Sequence, residues 1–443
     1  MKRAIVWFKT DLRLHDNETL VKAIAKSDEI IPVYCFDENQ FEITSFGYQK
    51  TGSFRAQFLL EAVADLDKNL RALGSGLIIV KGKPEVEIPK IVQEYKACKV
   101  FAKREVAYEE KQTEVLVQNE LFKLRCEFES LSTSTLYHAE DLPFAVKDIP
   151  DVFTNFRKKT EKDATIRTVY RKPEIIKSPE ISTIILPTLK ELGLKKSKAD
   201  SRAAIEFIGG ETEALNRMQH YFYETQSISN YKETRNGMIG KNYSSKFSAW
   251  LALGCLSPRE IYFELKKYET QFGANESTYW LVFELLWRDY FRFMMKKHSN
   301  KFFQQSGIQD KGIKVNKHNS KELQNWIDGK TGIDFIDANM TELKLTGFMS
   351  NRGRQNVASY LCNDLKLDWR YGAAYFEQQL IDYDVCSNWG NWAYLAGVGN
   401  DPRGNRYFNI QKQAQDYDKK CEYRKLWLKN RILVNSPNNA SSN

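Results

Sequence analysis

Lys2-Arg-Ala-Ile-Val-Trp-Phe-Lys9 sets an unbroken apolar run, 4–8, between charged ends. The same pattern returns at 30–36, 77–80, 100–102 and 126–131, and helical spacing separates these runs, as at 53–73 and 84–95. Apolar runs of strand length alternating with helices predict a parallel sheet covered on both faces by its crossovers. The helix from Ser53, its expected N-cap, carries Phe54, Phe58, Leu59, Ala62, Val63, Leu66 and Leu70 on one stripe. Residues 1–135 are therefore expected to form an α/β domain around a five-stranded parallel sheet.

Beyond it the pattern changes twice. Pro143, Pro150, Pro173, Pro179 and Pro187 stand among charged residues with little periodicity, which reads as a long connection, 136–200, wrapped over the surface. From Ser201 the spacing is helical and aromatic, and eight of the nine tryptophans lie there. A mostly α-helical domain is expected over 201–430, with a frayed tail at 431–443.

The chain of 443 residues carries 66 Lys+Arg against 57 Asp+Glu, a formal charge of +9 that predicts an anionic partner. Its 42% hydrophobic and 28% charged content is that of a folded globular protein and excludes disorder as the main state. No uninterrupted apolar stretch is long enough for a membrane span, and the opening residues lack a signal-peptide core, so a cytoplasmic protein is expected. The seven cysteines are scattered without CxxC spacing and the five histidines form no HExxH pair. Neither a disulfide framework nor a metal site is indicated.

Three weak motifs fail on inspection. Gly74-Ser-Gly76 precedes a strand rather than following one, so it is a turn and not a dinucleotide fingerprint. Gly329-Lys-Thr331 resembles the end of a phosphate loop, but Gln324 stands where the first glycine is needed. Serine nucleophile chemistry has no GxSxG elbow.

Four other segments carry more. Ser244, Ser245 and Ser248, with Lys246, stand at the start of a helical pattern, where free N–H groups and hydroxyls suit a pyrophosphate; an ordinary serine N-cap is the plainer alternative. In Trp280-Leu-Val-Phe-Glu-Leu-Leu-Trp-Arg-Asp-Tyr-Phe291, positions 280, 284, 287, 288 and 291 share one helical side, a carboxylate between aromatic rings that suits a flat, polar-edged ligand. A core stripe with a Glu284–Arg288 pair is the alternative. The third segment is Thr346-Gly-Phe-Met-Ser-Asn-Arg-Gly-Arg354. In the fourth, Leu380-Ile-Asp-Tyr-Asp-Val-Cys-Ser-Asn-Trp-Gly-Asn-Trp392, Asp382 and Asp384 sit among bulky apolar groups and need partners, for which Arg354 is a candidate.

These segments, with Trp7-Phe-Lys-Thr-Asp-Leu-Arg13 and Asp16-Asn17, resemble the photolyase/cryptochrome family across nearly the whole chain. Its cryptochrome DASH branch is the nearest resemblance, through Tyr231-Lys-Glu-Thr-Arg-Asn-Gly-Met238, Met349-Ser-Asn-Arg-Gly-Arg-Gln355, Gly397-Val-Gly-Asn-Asp-Pro402 and Phe408-Asn-Ile-Gln-Lys-Gln-Ala414. The resemblance implies an N-terminal α/β domain, a connector and a helical domain holding FAD. It implies that Tyr231, Ser244, Ser245, Lys246, Phe247 and Ser248 contact the FAD phosphates and ribitol, and that Arg288 and Asn351 line the same cavity. Arg354 would pair with Asp382, Asp382 and Asp384 would contact the flavin and adenine edges, and Asn388 would face the flavin nitrogen that is protonated on reduction.

On the substrate side the resemblance makes Glu284 the carboxylate that reads the lesion and Trp287 the ring that packs on a flipped pyrimidine dimer. Tyr394 and Gln355 stand where repair enzymes for duplex DNA carry Trp and Met, so the pocket is expected to be wider and less apolar. Weaker stacking cannot offset extraction of a dimer from a duplex, which favours single-stranded DNA, or looped duplex DNA, as substrate. Arg235, Arg406, Lys412 and Gln413 are candidates for following the DNA. The implied activity is repair of cyclobutane pyrimidine dimers by an electron from reduced FAD, in a monomer. A folate antenna (methenyltetrahydrofolate) is expected near Glu109 and Glu110.

Trp392 and Trp369 match the first two members of the family's electron chain, but the third falls at Asn316, so slow photoreduction is expected. A blue-light receptor acting through partners is the competing function, and the sixteen residues after Trp427 leave little room for a signalling extension. A structural nucleic-acid-binding protein retaining FAD as a relic would not keep the Glu284, Trp287 and Asn388 set.

Overall fold

The computed structural model describes residues 2–198, 200–310, 312, 320–401 and 406–428. Five parallel strands, β1 (Arg3–Phe8), β2 (Glu29–Asp37), β3 (Ile78–Gly82), β4 (Lys99–Lys103) and β5 (Glu127–Leu131), form one sheet in the order β3-β2-β1-β4-β5. Period-two alternation sorts the central strand: Ile5 and Trp7 pack under the Pro84–Tyr95 and Tyr108–Lys123 helices, whereas Ala4, Val6 and Phe8 join the main core with the Ser53–Arg71 helix. The N-cap of that last helix is Gly52 and not Ser53. Gly52 donates its N–H to Gln378 O at 2.9 Å, and a Cβ there would overlap that carbonyl, so close approach rather than a hydroxyl cap fixes the helix start.

The expected connection holds an 11-residue helix, Phe153–Asp163, which the proline count conceals. From Glu211 on the structure is helical, dominated by the 23-residue Glu276–His298 helix with its Asn275/Thr278 capping box. Buried charges tie these parts together. Arg259 grips Asp16 at 2.7 and 3.0 Å, and Glu211 accepts from the N–H groups of Leu14 and His15 at 2.9 Å each. Asp289 accepts from Leu136 and Tyr137 N–H at 3.0 and 2.9 Å, fastening the connection to the long helix.

Two helices cross at a glycine. Gly372, in the Trp369–Gln379 helix, leaves room for the six-membered ring of Trp392 from the Val385–Leu395 helix; a Cβ there would overlap it. Gly372→Ala should therefore cost about 1–3 kcal/mol of stability by overpacking. Denaturant unfolding measures it, and an unchanged midpoint would show that Trp392 can shift freely.

Candidate functional site

A cavity of about 460 Å³ opens on the helical half of the molecule. The Glu276–His298 helix supplies Glu284, Trp287, Arg288 and Phe291, and Arg235, Asn351, Gln355, Tyr394 and Arg406 close it. The i, i+3, i+4 and i+7 spacing on one helix puts the carboxylate and the rings on one wall. A second cavity, about 90 Å³, carries Arg354, Asp382, Asp384, Asn388 and Trp392. Asn351, Gln355, Ser387, Asn391 and Leu395 face both spaces, so the two adjoin.

Glu284 pairs with Arg235 at 2.6 Å, not with Arg288. Burial pushes its carboxyl above the ordinary range, against the pull of Arg235. Arg288 instead donates to Ser134 O at 2.5 Å and Leu251 O at 3.2 Å. Trp287 is backed by Phe153, stacked at 3.7 Å and 13°, and meets Tyr394 edge-on at 5.9 Å. Arg406 donates to the Tyr394 hydroxyl at 2.8 Å and lies over its ring.

In the smaller cavity Arg354 donates to both oxygens of Asp382, at 2.9 and 2.8 Å. Asp384 caps the Val385–Leu395 helix, accepting from Ser387 N–H at 2.7 Å. Burial opposes its ionisation, but Arg288 and Arg292 outweigh it and hold the carboxyl below the usual range. Asn388 donates its amide to Ala373 O at 3.0 Å, which leaves its carbonyl oxygen for another partner.

Other expected residues lie elsewhere. Tyr231 is buried at the start of the Tyr231–Thr234 helix, 6.0 Å from Arg235. The helix expected from the serines starts only at Ser248 and is five residues long; Ser244 and Ser245 lie in the preceding loop, bonded through their carbonyls to Arg217. Lys246 has φ +62°, and this left-handed turn breaks the expected helix. Gln413 meets Arg352 at 3.4 Å and does not line the cavities. Trp369 is buried one turn before Gly372. Glu109 and Glu110 line a third space, a cleft of about 400 Å³ between the sheet and the helices. Lys50 pairs with Glu109 there, and burial pushes Glu110 up to about 7. Asn316 lies outside the described residues.

Phe153 was not foreseen; its only signal is the Phe153/Phe156 pair at helical spacing within the proline-rich stretch. Trp389, a cleft residue, was hidden inside a segment read for its aspartates.

Known proteins resemble the chain at both ends and throughout. DNA photolyase matches residues 4–178, and the FAD binding domain of DNA photolyase matches residues 280–438. The chain belongs to the photolyase/cryptochrome family. Within it the chain belongs to the cryptochrome DASH branch: it is 49% identical over 428 residues to Cryptochrome DASH of Gloeobacter violaceus, covering 96% of this chain and 85% of the relative. To Cryptochrome DASH of Danio rerio it is 48% identical, covering 96% and 83%. The crystal structure of a Synechocystis sp. cryptochrome superposes with a TM-score of 0.94 at 48% identity, covering 97% of this chain and 89% of that one.

FAD is the cofactor of this domain, and the residues present fit it. Lys246 Nζ and Tyr243 Oη are buried with no hydrogen-bond partner among the described residues. Burial drives the lysine far below its ordinary pKa, against the pull of the Glu342 and Asp382 carboxylates, so a further anion beside it would favour its charged form. Lys246 lies 5.0 Å from the Phe348 ring and Arg354 lies 5.6 Å from it, which places the lysine beside the Arg354–Asp382 cavity. A pyrophosphate would supply that charge. Among the described residues no cluster of His, Cys, Asp and Glu could hold a metal ion, and no helix is long and apolar enough to cross a membrane.

Proposed function

We propose that the protein repairs cyclobutane pyrimidine dimers in single-stranded DNA, using blue light and reduced FAD. The observation that carries this reading is the adjoining pair of cavities, one with Glu284 and Trp287, the other with Asn388 and Trp392. When bound and reduced, FAD supplies the electron that splits the dimer. The chain does the rest. Lys246 and the Ser244 and Ser245 loop would hold the pyrophosphate, Arg354 would fix Asp382 beside the ring system, and the Asn388 carbonyl oxygen would accept a hydrogen bond from the flavin N–H. Glu284, held in place by its ion pair with Arg235, accepts from the pyrimidine edge while Trp287 packs on its face.

The opposite wall favours an unpaired strand. Tyr394 presents a hydroxyl held by Arg406, and Gln355 adds an amide, so little apolar stacking is available to draw a dimer from a duplex. A folate antenna occupies the cleft at Glu109 and Glu110 in this reading.

The test is illumination of chemically reduced protein with dimer-containing oligonucleotides, single-stranded and duplex in parallel. The single strand should be repaired faster, and its affinity should fall steeply with salt, at about 0.7 decades per decade of salt for each phosphate contact. Absence of repair in both substrates overturns the reading; equal repair of both, or a salt-independent affinity, overturns the strand preference or the electrostatic contact.

A further inference from the structure

One guanidinium organises the loop that leads into Lys246. Arg217, on the Glu211–Gln219 helix, donates from Nε to Ser245 O at 3.0 Å, from Nη1 to Asn242 Oδ1 at 2.9 Å, and from Nη2 to Lys241 O at 2.9 Å and Ser244 O at 3.2 Å. The planar fork therefore spends four of its five N–H groups on residues 241–245. All four acceptors are neutral oxygens, and no carboxylate among the described residues offsets the burial of its charge.

A trans peptide points its C=O and the next N–H in opposite directions. By turning the carbonyls of Lys241, Ser244 and Ser245 onto itself, Arg217 turns the N–H groups of Asn242, Ser245 and Lys246 away, and none of these three has an acceptor among the described residues. Successive N–H groups that end on a left-handed residue form a concavity for an anion. Lys246, at φ +62°, is that residue, in a conformation that a long side chain rarely adopts. It is held from both sides. Ser245 before it is bound by Arg217, and Phe247 after it meets the rings of Tyr221 and Phe222 edge-on at 6.0 and 5.9 Å, in the His220–Glu224 continuation of the same helix.

We propose that Arg217 is a positioning residue for the FAD pyrophosphate, acting through the loop it shapes and not through the reacting ring. The inference rests on the placement of the pyrophosphate at Ser244, Ser245 and Lys246 and adds what builds that site. Arg217 also acts by charge. It and Arg354 both oppose the ammonium form of Lys246, so the cations sit together at least cost when a group of two negative charges lies beside them.

The experiment uses full-length FAD-loaded protein as wild type, Arg217→Lys, Asn242→Ala, Met218→Ala and Lys246→Met. Three readouts are taken: the FAD dissociation constant from flavin fluorescence, phosphorus NMR of the bound pyrophosphate, and the denaturant midpoint at saturating FAD. Arg217→Lys keeps the charge but loses the fork, and should raise the dissociation constant about ten- to hundredfold and shift the phosphorus resonances. Asn242→Ala removes one acceptor and should move both in the same direction by less; if Arg217→Lys fails to fold, this variant decides. Met218→Ala, buried on the same helix but not bonded to the loop, should lower the midpoint and leave affinity and phosphorus spectrum as in wild type. Wild-type affinity and phosphorus spectrum in Arg217→Lys and Asn242→Ala, or a fall in affinity that Met218→Ala matches at equal loss of stability, overturns the assignment. Lys246→Met tests the placement beneath it. An unshifted phosphorus spectrum there puts the pyrophosphate elsewhere; a shift in Lys246→Met without one in Arg217→Lys strikes the role of Arg217 alone.

Discussion

Glu284→Ala should lose dimer repair and dimer affinity while keeping its FAD. Glu284 stands in the larger cavity, opposite Tyr394 and paired with Arg235, and takes no part in the wall around Asn388 and Asp382. A hydrogen bond to a charged acceptor contributes roughly 1.5–3 kcal/mol, so the loss should be about ten- to hundredfold in binding or turnover. Glu284→Gln keeps an acceptor oxygen and should fall between the two. The measurements are flavin absorbance per protein and repair of a single-stranded dimer after dithionite reduction. An Ala variant that emerges without flavin, or unfolded, would make Glu284 a structural residue of the helix.

The second large effect is expected at Trp392. Trp392→Phe should nearly abolish photoreduction of oxidised flavin with a thiol, because every aromatic route described here starts at that ring: toward Trp369 and Trp389 on one side, toward Trp326 on the other. Phenylalanine keeps the edge against Phe376 but is far harder to oxidise than an indole. Dimer repair after chemical reduction should survive, since it needs no electron from the protein. The check is the bleaching rate of the flavin band in both proteins. A variant that photoreduces at the wild-type rate would require a donor outside these rings.

The sheet was legible because its strands are apolar on both faces and its helices are not, so two periodicities alternate within 130 residues. Where one atom's clearance decides, the pattern is silent. Ser53 is an excellent cap by type, but Gly52 takes the position because the Gln378 carbonyl lies against it. The site was legible in part for the same reason. Glu284, Trp287 and Arg288 share a helix face that spacing reveals, and the need of a buried carboxylate for a partner made Arg354 a candidate for Asp382 or Asp384, between which the family resemblance chose Asp382. Pairing across distant segments was not. Arg235 and Glu284 are separated by 49 positions and nothing local distinguishes this ion pair from a Glu284–Arg288 one. Lys246 shows the limit in another form, since a left-handed residue in a serine-rich stretch mimics a helix start.

Five side chains, those of Asn351, Gln355, Ser387, Asn391 and Leu395, belong to the walls of both cavities. Whatever fills one space therefore restricts the rotamers that bound the other. Thermodynamic reciprocity then applies: if a seated cofactor tightens the grip on a damaged strand by some factor, a damaged strand tightens the grip on the cofactor by that same factor. On the proposed repair reading, binding of damage and retention of flavin would be one linked equilibrium, and with positive coupling flavin would stay longest on those copies already holding damage.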